Sequence, residues 1–557
     1  MDKNEKKIMH KRLYIAFYLF IFMFVYITAK LAYIQIYKGE EYYNRTIRQS
    51  EIRVDLTSNR GIIYDRNNIP LTDKDKDRVL VILKNRLFVH SSASILDKET
   101  IKLLRDITRM SEEEIYRELQ KPSDLIEFDI RHINDDLEKK IKSKRGILIV
   151  EKTFRYSKEN ILSHVIGYIN LYDRVGVSGI EKSKDKYLKN QEREYVEAFV
   201  DAHNNVIAGS FRENTDNVPR TKHIKTTIDY NIQKAVEEVM DKNRVNGAVV
   251  VSSVTTGEIL AMASRPNFNV YRLEDYVRSS GDELLNKAIQ CTYPPGSVFK
   301  IIVALAALEE GLVDENEVFD CSGETDVDGL TVRCWKEDGH GEQTFAEAFY
   351  NSCNTTFVEI GQRIGSKKIL DMARRMGLAD KVGIGLDEEK SGTLPKGDRI
   401  KGNAISNISI GQGDIEVTPL QVNQMTQIIA NNGVYNRLYL FDSVLNQNMR
   451  EIESFPVDKE EVVISPFIIN RVRDLMEGVV SQGTAQTAKG LEGESAGKTG
   501  SAESSINGKR VVHGWFTGYY PFIKPKYAIT VFVYDGRSGG GAAAPIFKEI
   551  LEKINQN

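Results

Sequence analysis

The run from Leu13 to Ala29 (LYIAFYLFIFMFVYITA) carries no charge, and beyond Lys30 the chain stays apolar through Tyr37. A helix rises about 1.5 Å per residue, so this stretch can cross the roughly 30 Å hydrocarbon core of a bilayer. It is preceded by Lys3, Lys6, Lys7, Lys11 and Arg12 against only Asp2 and Glu5. The positive-inside bias then puts residues 1–12 in the cytoplasm as a short tail, residues 13–37 in the membrane as an anchor, and the rest of the chain on the far side. Two other readings compete. A cleaved signal peptide has a shorter, less aromatic apolar region and a small-residue cleavage site, which is not evident here. A buried core helix is the second. No later stretch of this length lacks charge, so a single pass is expected.

The remainder reads as ordinary packed structure. Of 557 residues, 76 are Lys or Arg and 79 are Asp or Glu, giving a net charge of −3, which argues against a polyanion such as nucleic acid as partner. From 38 to 220 the chain is rich in charge, with a β-like run Val79–Leu83 and a helical pattern Lys98–Leu119. It contains no Cys and no nucleophile set beside a base, so a spacer or docking module is expected. From about 221 the pattern changes to an amphipathic helix over Thr226–Arg244, strands over Gly247–Val254 and Glu258–Ala263, and a Thr256-Gly257 turn between them.

Three short motifs follow. Pro294-Pro295-Gly296 precedes Ser297-Val298-Phe299-Lys300 and a run of small aliphatic residues ending near Gly311. That pattern predicts a turn and then a buried helix, with Ser297 and Lys300 three apart on one face. A serine hydroxyl becomes a useful nucleophile when a neighbour takes its proton, and a lysine can do so if burial keeps it neutral. By itself the pair occurs often by chance. Ser352-Cys353-Asn354 then offers a hydroxyl and an amide two residues apart, suited to relaying a proton and holding a substrate amide. Lys498-Thr499-Gly500, followed by Ser501, offers a cation and a hydroxyl for a carboxylate and a backbone amide for an oxyanion. A phosphate loop is disfavoured, because Gly493 stands four residues before Gly497 where that loop needs five.

In this order the motifs match the serine acyl-enzyme set of penicillin-binding proteins and class A β-lactamases. The chain resembles the class B penicillin-binding proteins, monofunctional D,D-transpeptidases of peptidoglycan, over nearly its whole length. Arg60-Gly61-Ile62-Ile63-Tyr64-Asp65-Arg66-Asn67, His164–Tyr168, Gly179-Ile180-Glu181, Ser409–Gly413, Thr418–Gln421 and His513–Phe516 extend the likeness. The resemblance implies an α+β protein with one N-terminal transmembrane helix and an elongated pedestal domain over 38–220. It further implies a transpeptidase domain over 221–557, built on a five-stranded antiparallel sheet flanked by helices. The strands are expected near 247–254, 258–263, 496–504, 511–520 and 527–534, with a last helix at 544–555.

The resemblance also assigns roles. Ser297 is the nucleophile, Lys300 its base and Ser352 the proton relay, while Asn354 holds the substrate amide. Lys498 and Thr499 bind the terminal carboxylate, and the amides of Ser297 and Ser501 flank the oxyanion. It implies no cofactor for catalysis. The expected partners are stem peptides, β-lactams, a glycosyltransferase and other membrane proteins. Rival readings are a D,D-carboxypeptidase, a β-lactam-hydrolysing or sensing relative, and a non-catalytic scaffold.

The family pattern does not require cysteines, yet Cys291, Cys321, Cys334 and Cys353 all fall in this part of the chain. Cys321, Cys334 and His340 offer two thiolates and an imidazole to a structural zinc, with Asp338, Asp320 or Cys353 as fourth ligand. A Cys321–Cys334 disulfide and free, packed thiols are the alternatives.

Overall fold

The structure, a computed structural model, describes residues 3–42, 51–55, 60–83, 98–121, 125–142, 144, 147–170, 173–189, 195–199, 212–214, 222–279, 281–456, 460–506 and 508–556. The chain forms two compact units, one of residues 1–58, 76–153 and 192–218, the other of 59–75, 154–191 and 219–557.

In the first unit the apolar run is a helix over Lys3–Ala32, continued by a wider turn through Tyr37. Among the described residues it is the one helix long and apolar enough to cross a membrane, and none of its apolar window is buried. The unit also carries the strand Asp75–Leu83 between Leu125–Asp129 and Ile147–Phe154. The helical pattern expected over Lys98–Leu119 is two helices, Lys98–Thr108 and Glu112–Leu119. Arg109 takes φ +60° and Ser111 opens the second helix with a capping box to Glu114, so the break is written in Ser-x-x-Glu.

In the second unit, the segment that begins at Arg60 is tied down by a buried charge cluster. Glu181, with no exposure, accepts from Arg60 Nε at 2.9 Å and from Arg155 Nε at 2.7 Å. Arg60 also reaches Asp185 at 2.7 Å, and Arg155 pairs with Asp73. Removing one member of such a buried pair leaves an uncompensated charge and costs about 3–5 kcal/mol. Asp65 Oδ1 accepts the amides of Asn67 and Ile69, both at 2.7 Å, which shapes the turn.

The central sheet has five strands, β1 Gly247–Ser253, β2 Ile259–Arg265, β3 Ala496–Ile506, β4 Lys509–Tyr520 and β5 Tyr527–Val533. They lie in the order β2-β1-β5-β4-β3, every neighbouring pair antiparallel. The helix expected from Thr226 starts instead at Tyr230 and runs to Lys242. His223–Thr226 are a strand paired with Phe441–Leu445, and Asp229 caps the helix by accepting from the amides of Asn231 and Ile232.

The core holds two buried helices, Lys300–Glu309 and Pro419–Ala430. The second is buried on all sides, so its polar residues must find partners. Asn423 Nδ2 donates to the carbonyls of Val250 and Ala528, and Gln427 Nε2 to that of Val254. The helix Ala544–Gln556 closes the chain, burying Ala544, Ile546, Phe547, Ile550 and Leu551.

Candidate active site

Ser297 lies half-buried in a tight 3-10 turn, Gly296–Phe299, which runs straight into the helix that starts at Lys300. Three contacts fix that turn. Gly296 takes φ +53°, and a Cβ there would stand 2.7 Å from the carbonyl oxygen of Ser501, so only glycine lets the turn lie against β3. Its amide donates to Gly411 O at 2.9 Å, within the Ser409–Gly413 motif. Trp515 Nε1 on β4 donates to Pro294 O at 3.0 Å. The antiparallel register sets Gly500 opposite Trp515, so β3 and its neighbour β4 both brace the turn that carries Ser297.

The Lys300 ammonium is fully buried. It donates to Ser352 O at 2.7 Å, to Asn354 Oδ1 at 2.8 Å and to Ser352 Oγ at 3.3 Å, and rests over the Phe357 ring at 5.3 Å. Burial pushes its pKa down to about 8, against the opposing pull of the Cys353 and Cys334 sulfurs. The helix Phe345–Tyr350 ends just before the second motif. Ser352 takes φ +54°, which turns the chain so that Cys353 stands at the position just before the next helix, Asn354–Ile364. Asn354 Nδ2 donates to Arg333 O at 3.1 Å, which keeps its oxygen toward Lys300.

Lys498 on β3 is also fully buried; its Nζ donates to Ser352 Oγ at 3.0 Å and to Thr499 O at 3.2 Å. Burial, then repulsion from Lys300, hold its pKa well below the ordinary lysine range. Two buried lysines thus converge on one hydroxyl, which can pass a proton between them. Thr499 and Gly500 are buried and Ser501 is exposed; Ser501 Oγ accepts from Gly539 N at 3.3 Å. Ser297, Lys300, Ser352, Asn354, Lys498, Thr499, Gly500 and Ser501 therefore lie in one neighbourhood of the second unit.

Three of the four cysteines converge beside it. Cys321, Cys334, His340 and Cys353 bring their ligand atoms within 4.8 Å of one another. His340 Nδ1 stands 3.5 Å from both Cys321 Sγ and Cys334 Sγ, and Cys334 Sγ lies 4.0 Å from Cys353 Sγ. All four cysteines of the chain are free thiols, so the Cys321–Cys334 bridge is not formed. Of the three candidates for a fourth ligand, Cys353 completes the group and Asp320 and Asp338 do not. The Cys334 thiol and the hydroxyls of Thr355 and Thr356 push the Cys353 thiol pKa down against its burial.

Two contributors were not singled out for a role by sequence reasoning. From sequence Trp515 reads as packing the sheet or lining the cleft, and its anchoring bond to Pro294 depends on a register no local pattern reveals. Thr484 stands 2.6 Å from Thr499, oxygen to oxygen, and carries no motif of its own.

Comparison with known proteins identifies the family. The family model for the penicillin-binding protein transpeptidase domain matches residues 247–552, and that for the penicillin-binding protein dimerisation domain matches residues 55–219. Stage V sporulation protein D of Bacillus subtilis is 31% identical, covering 97% of this chain and 85% of its own. The peptidoglycan D,D-transpeptidase MrdA of Acinetobacter baumannii is 28% identical over 98% of this chain and 88% of its own. The penicillin-binding protein PBP2 of Helicobacter pylori, solved in complex with MreC, superposes with a TM-score of 0.63 at 25% identity, covering 91% of this chain and 99% of that one. The chain belongs to the class B penicillin-binding proteins. Within that class it is a peptidoglycan D,D-transpeptidase that binds β-lactams.

Proposed function

We propose that the transpeptidation runs through a serine acyl-enzyme on Ser297. The observation that carries this reading is Lys300, fully buried at the start of the helix that follows Ser297 and bonded to both polar residues of Ser352-Cys353-Asn354. With a pKa of about 8, roughly one molecule in ten holds a neutral Lys300 at pH 7, against fewer than one in a thousand for an ordinary lysine.

Ser297 Oγ gives its proton to Lys300 Nζ and attacks the carbonyl carbon of the penultimate D-Ala of a stem peptide. The developing oxyanion is held by the amides of Ser297 and Ser501. As the C–N bond to the terminal D-Ala breaks, Ser352 Oγ relays the proton to the departing amine, leaving an ester on Ser297. The amine of a second stem peptide attacks that ester, and its surplus proton returns by the same relay to Ser297. Asn354 holds the peptide amide, and Lys498 and Thr499 bind the terminal carboxylate. A fluorescent penicillin should label the wild type, and Ser297→Ala should abolish the label with an unchanged melting temperature. Label persisting on the mutant would show that another residue is the nucleophile.

Cys321, Cys334, His340 and Cys353 form a donor set suited to a structural zinc. Zinc bonds sulfur at about 2.3 Å and nitrogen at about 2.0–2.1 Å, which gives tetrahedral edges of roughly 3.4–3.8 Å. The two sulfur–nitrogen separations of 3.5 Å match such edges, and the sulfur–sulfur separation of 4.0 Å is slightly longer. An ion there would cross-link the wall of the cleft, with the nucleophile still supplied by Ser297. Protein purified anaerobically should carry about one equivalent of zinc; less than a tenth of an equivalent would refute the site.

The topology that fits the basic N-terminal segment is residues 1–12 cytoplasmic, 13–37 spanning, the pedestal over 38–220 and the transpeptidase domain over 221–557 beyond the membrane. A membrane glycosyltransferase that supplies glycan strands is the partner such an enzyme needs, since no glycan-polymerising site is evident in this chain's sequence.

A further inference from the structure

We propose that Thr484 is a positioning residue that orients Thr499 for the substrate's carboxylate, an inference that rests on the serine acyl-enzyme reading above. Thr484 follows the helix Pro466–Ser481 and touches both sides of the site. Its amide donates at 3.2 Å to Tyr350 O, two residues before Ser352. Beside it, a Cβ on Gly483 would stand 2.4 Å from that same carbonyl, so the segment lies pressed against the lead-in to the second motif. Its Oγ1 stands 2.6 Å from Thr499 Oγ1 on β3. One residue therefore bridges the segment carrying Ser352 and the strand carrying Lys498 and Thr499.

The chemistry follows from counting protons. Each hydroxyl has one proton, and only one of the two can lie between the paired oxygens. A carboxylate only accepts, so its arrival favours the order in which Thr484 donates to Thr499 and Thr499 donates to the carboxylate. The first bond polarises the second, and it selects one of the three staggered rotamers open to the Thr499 side chain. Without the Thr484 hydroxyl, Thr499 is free to rotate and loses that donor. The next turn supports the arrangement: Thr487 Oγ1 donates to Gly540 O at 2.9 Å, tying the glycine segment beside β3 to the same loop.

The test compares benzylpenicillin, which carries the carboxylate, with its methyl ester on the full chain. Thr484→Val should acylate with benzylpenicillin about tenfold more slowly, the loss expected for one hydrogen bond serving a charged group. The loss should appear in the dissociation constant of the initial complex, with the limiting acylation rate unchanged. Acylation by the ester should stay at the wild-type rate, Thr484→Ser should restore the rate with benzylpenicillin, and Thr484→Val should add nothing in a Thr499→Val background. An unchanged rate, an equal loss on both compounds, or failure of Ser to restore would overturn the inference. Should Thr484→Val not fold, Thr484→Ala supplies the same comparison. A silent Thr484→Val beside an unlabelled Ser297→Ala overturns this inference alone; label surviving on Ser297→Ala overturns the serine reading and this inference with it.

Discussion

His164 carries the clearest pH signature in the catalytic unit. Its ring is buried, Nε2 donates to Glu283 O at 2.7 Å, and Phe268 meets it edge-on at 5.0 Å. Burial, reinforced by the nearby charges of Arg265 and Lys287, pushes its pKa down to about 4 from 6.5. The fold therefore holds it neutral while the unfolded chain protonates it below 6.5. Its contribution is fully present above that pH and is lost as pH falls from 6.5 toward 4, by up to about 3 kcal/mol. His164→Gln, which keeps a donor and cannot protonate, should lose less stability than the wild type between pH 7 and pH 4.5. Parallel urea midpoints for the two proteins over that range would disprove the assignment. The residues proposed for catalysis stood out at this scale because the chemistry proposed for them is restrictive: a nucleophile, a base and a carboxylate-binding cation need particular residue types at fixed spacing. Thr484 and Trp515 did not, because the one acts through a hydroxyl 15 residues away and the other through a carbonyl 221 residues away.

Among the elements, the pairing of β3 with β4 does most to shape the site. Trp515 is fully buried, and its indole bond to Pro294 O holds the turn that presents Ser297. Trp515→Phe keeps most of the apolar contact and removes that donor, leaving a carbonyl unpaired at a cost of about 1–3 kcal/mol. Acylation should slow by about tenfold or more, a loss in the limiting rate and not in the initial complex. An unchanged limiting rate in stopped-flow acylation would show that the turn is held without it. These two strands were expected from the family resemblance, and β4 begins two residues earlier than expected, at Lys509. Sequence reading failed where local signals compete: Thr226 looked helical, but pairing with Phe441 draws it into a strand ahead of the Asp229 cap.

For the whole molecule, the apolar N-terminal helix and the catalytic unit make separable demands. The helix is exposed along its length, as suits a segment whose solvent is lipid. A chain lacking residues 1–37 should stay in the supernatant on ultracentrifugation and still take up fluorescent penicillin at Ser297. Sedimentation of that chain with membranes would reveal a second attachment. The anchor, the family and the five strands were legible because each rests on a run or a motif. The division of the chain into units was not, because segments 59–75 and 154–191 fall in the catalytic unit through contacts far apart in sequence, such as the pairing of Ile63 with Ile224 and the bond from Leu162 N to Glu237.

The strand order β2-β1-β5-β4-β3 sets residues 247–265 beside strands that begin only at 496. During synthesis the first hairpin must wait for more than two hundred residues before its permanent neighbour exists, and the turn bearing Ser297 lacks its backing until β3 and β4 arrive. Loop closure of that length is slow. The site can therefore assemble only after nearly the whole chain has been made, and a chain that stops short of the last strands is left with an unpaired sheet edge.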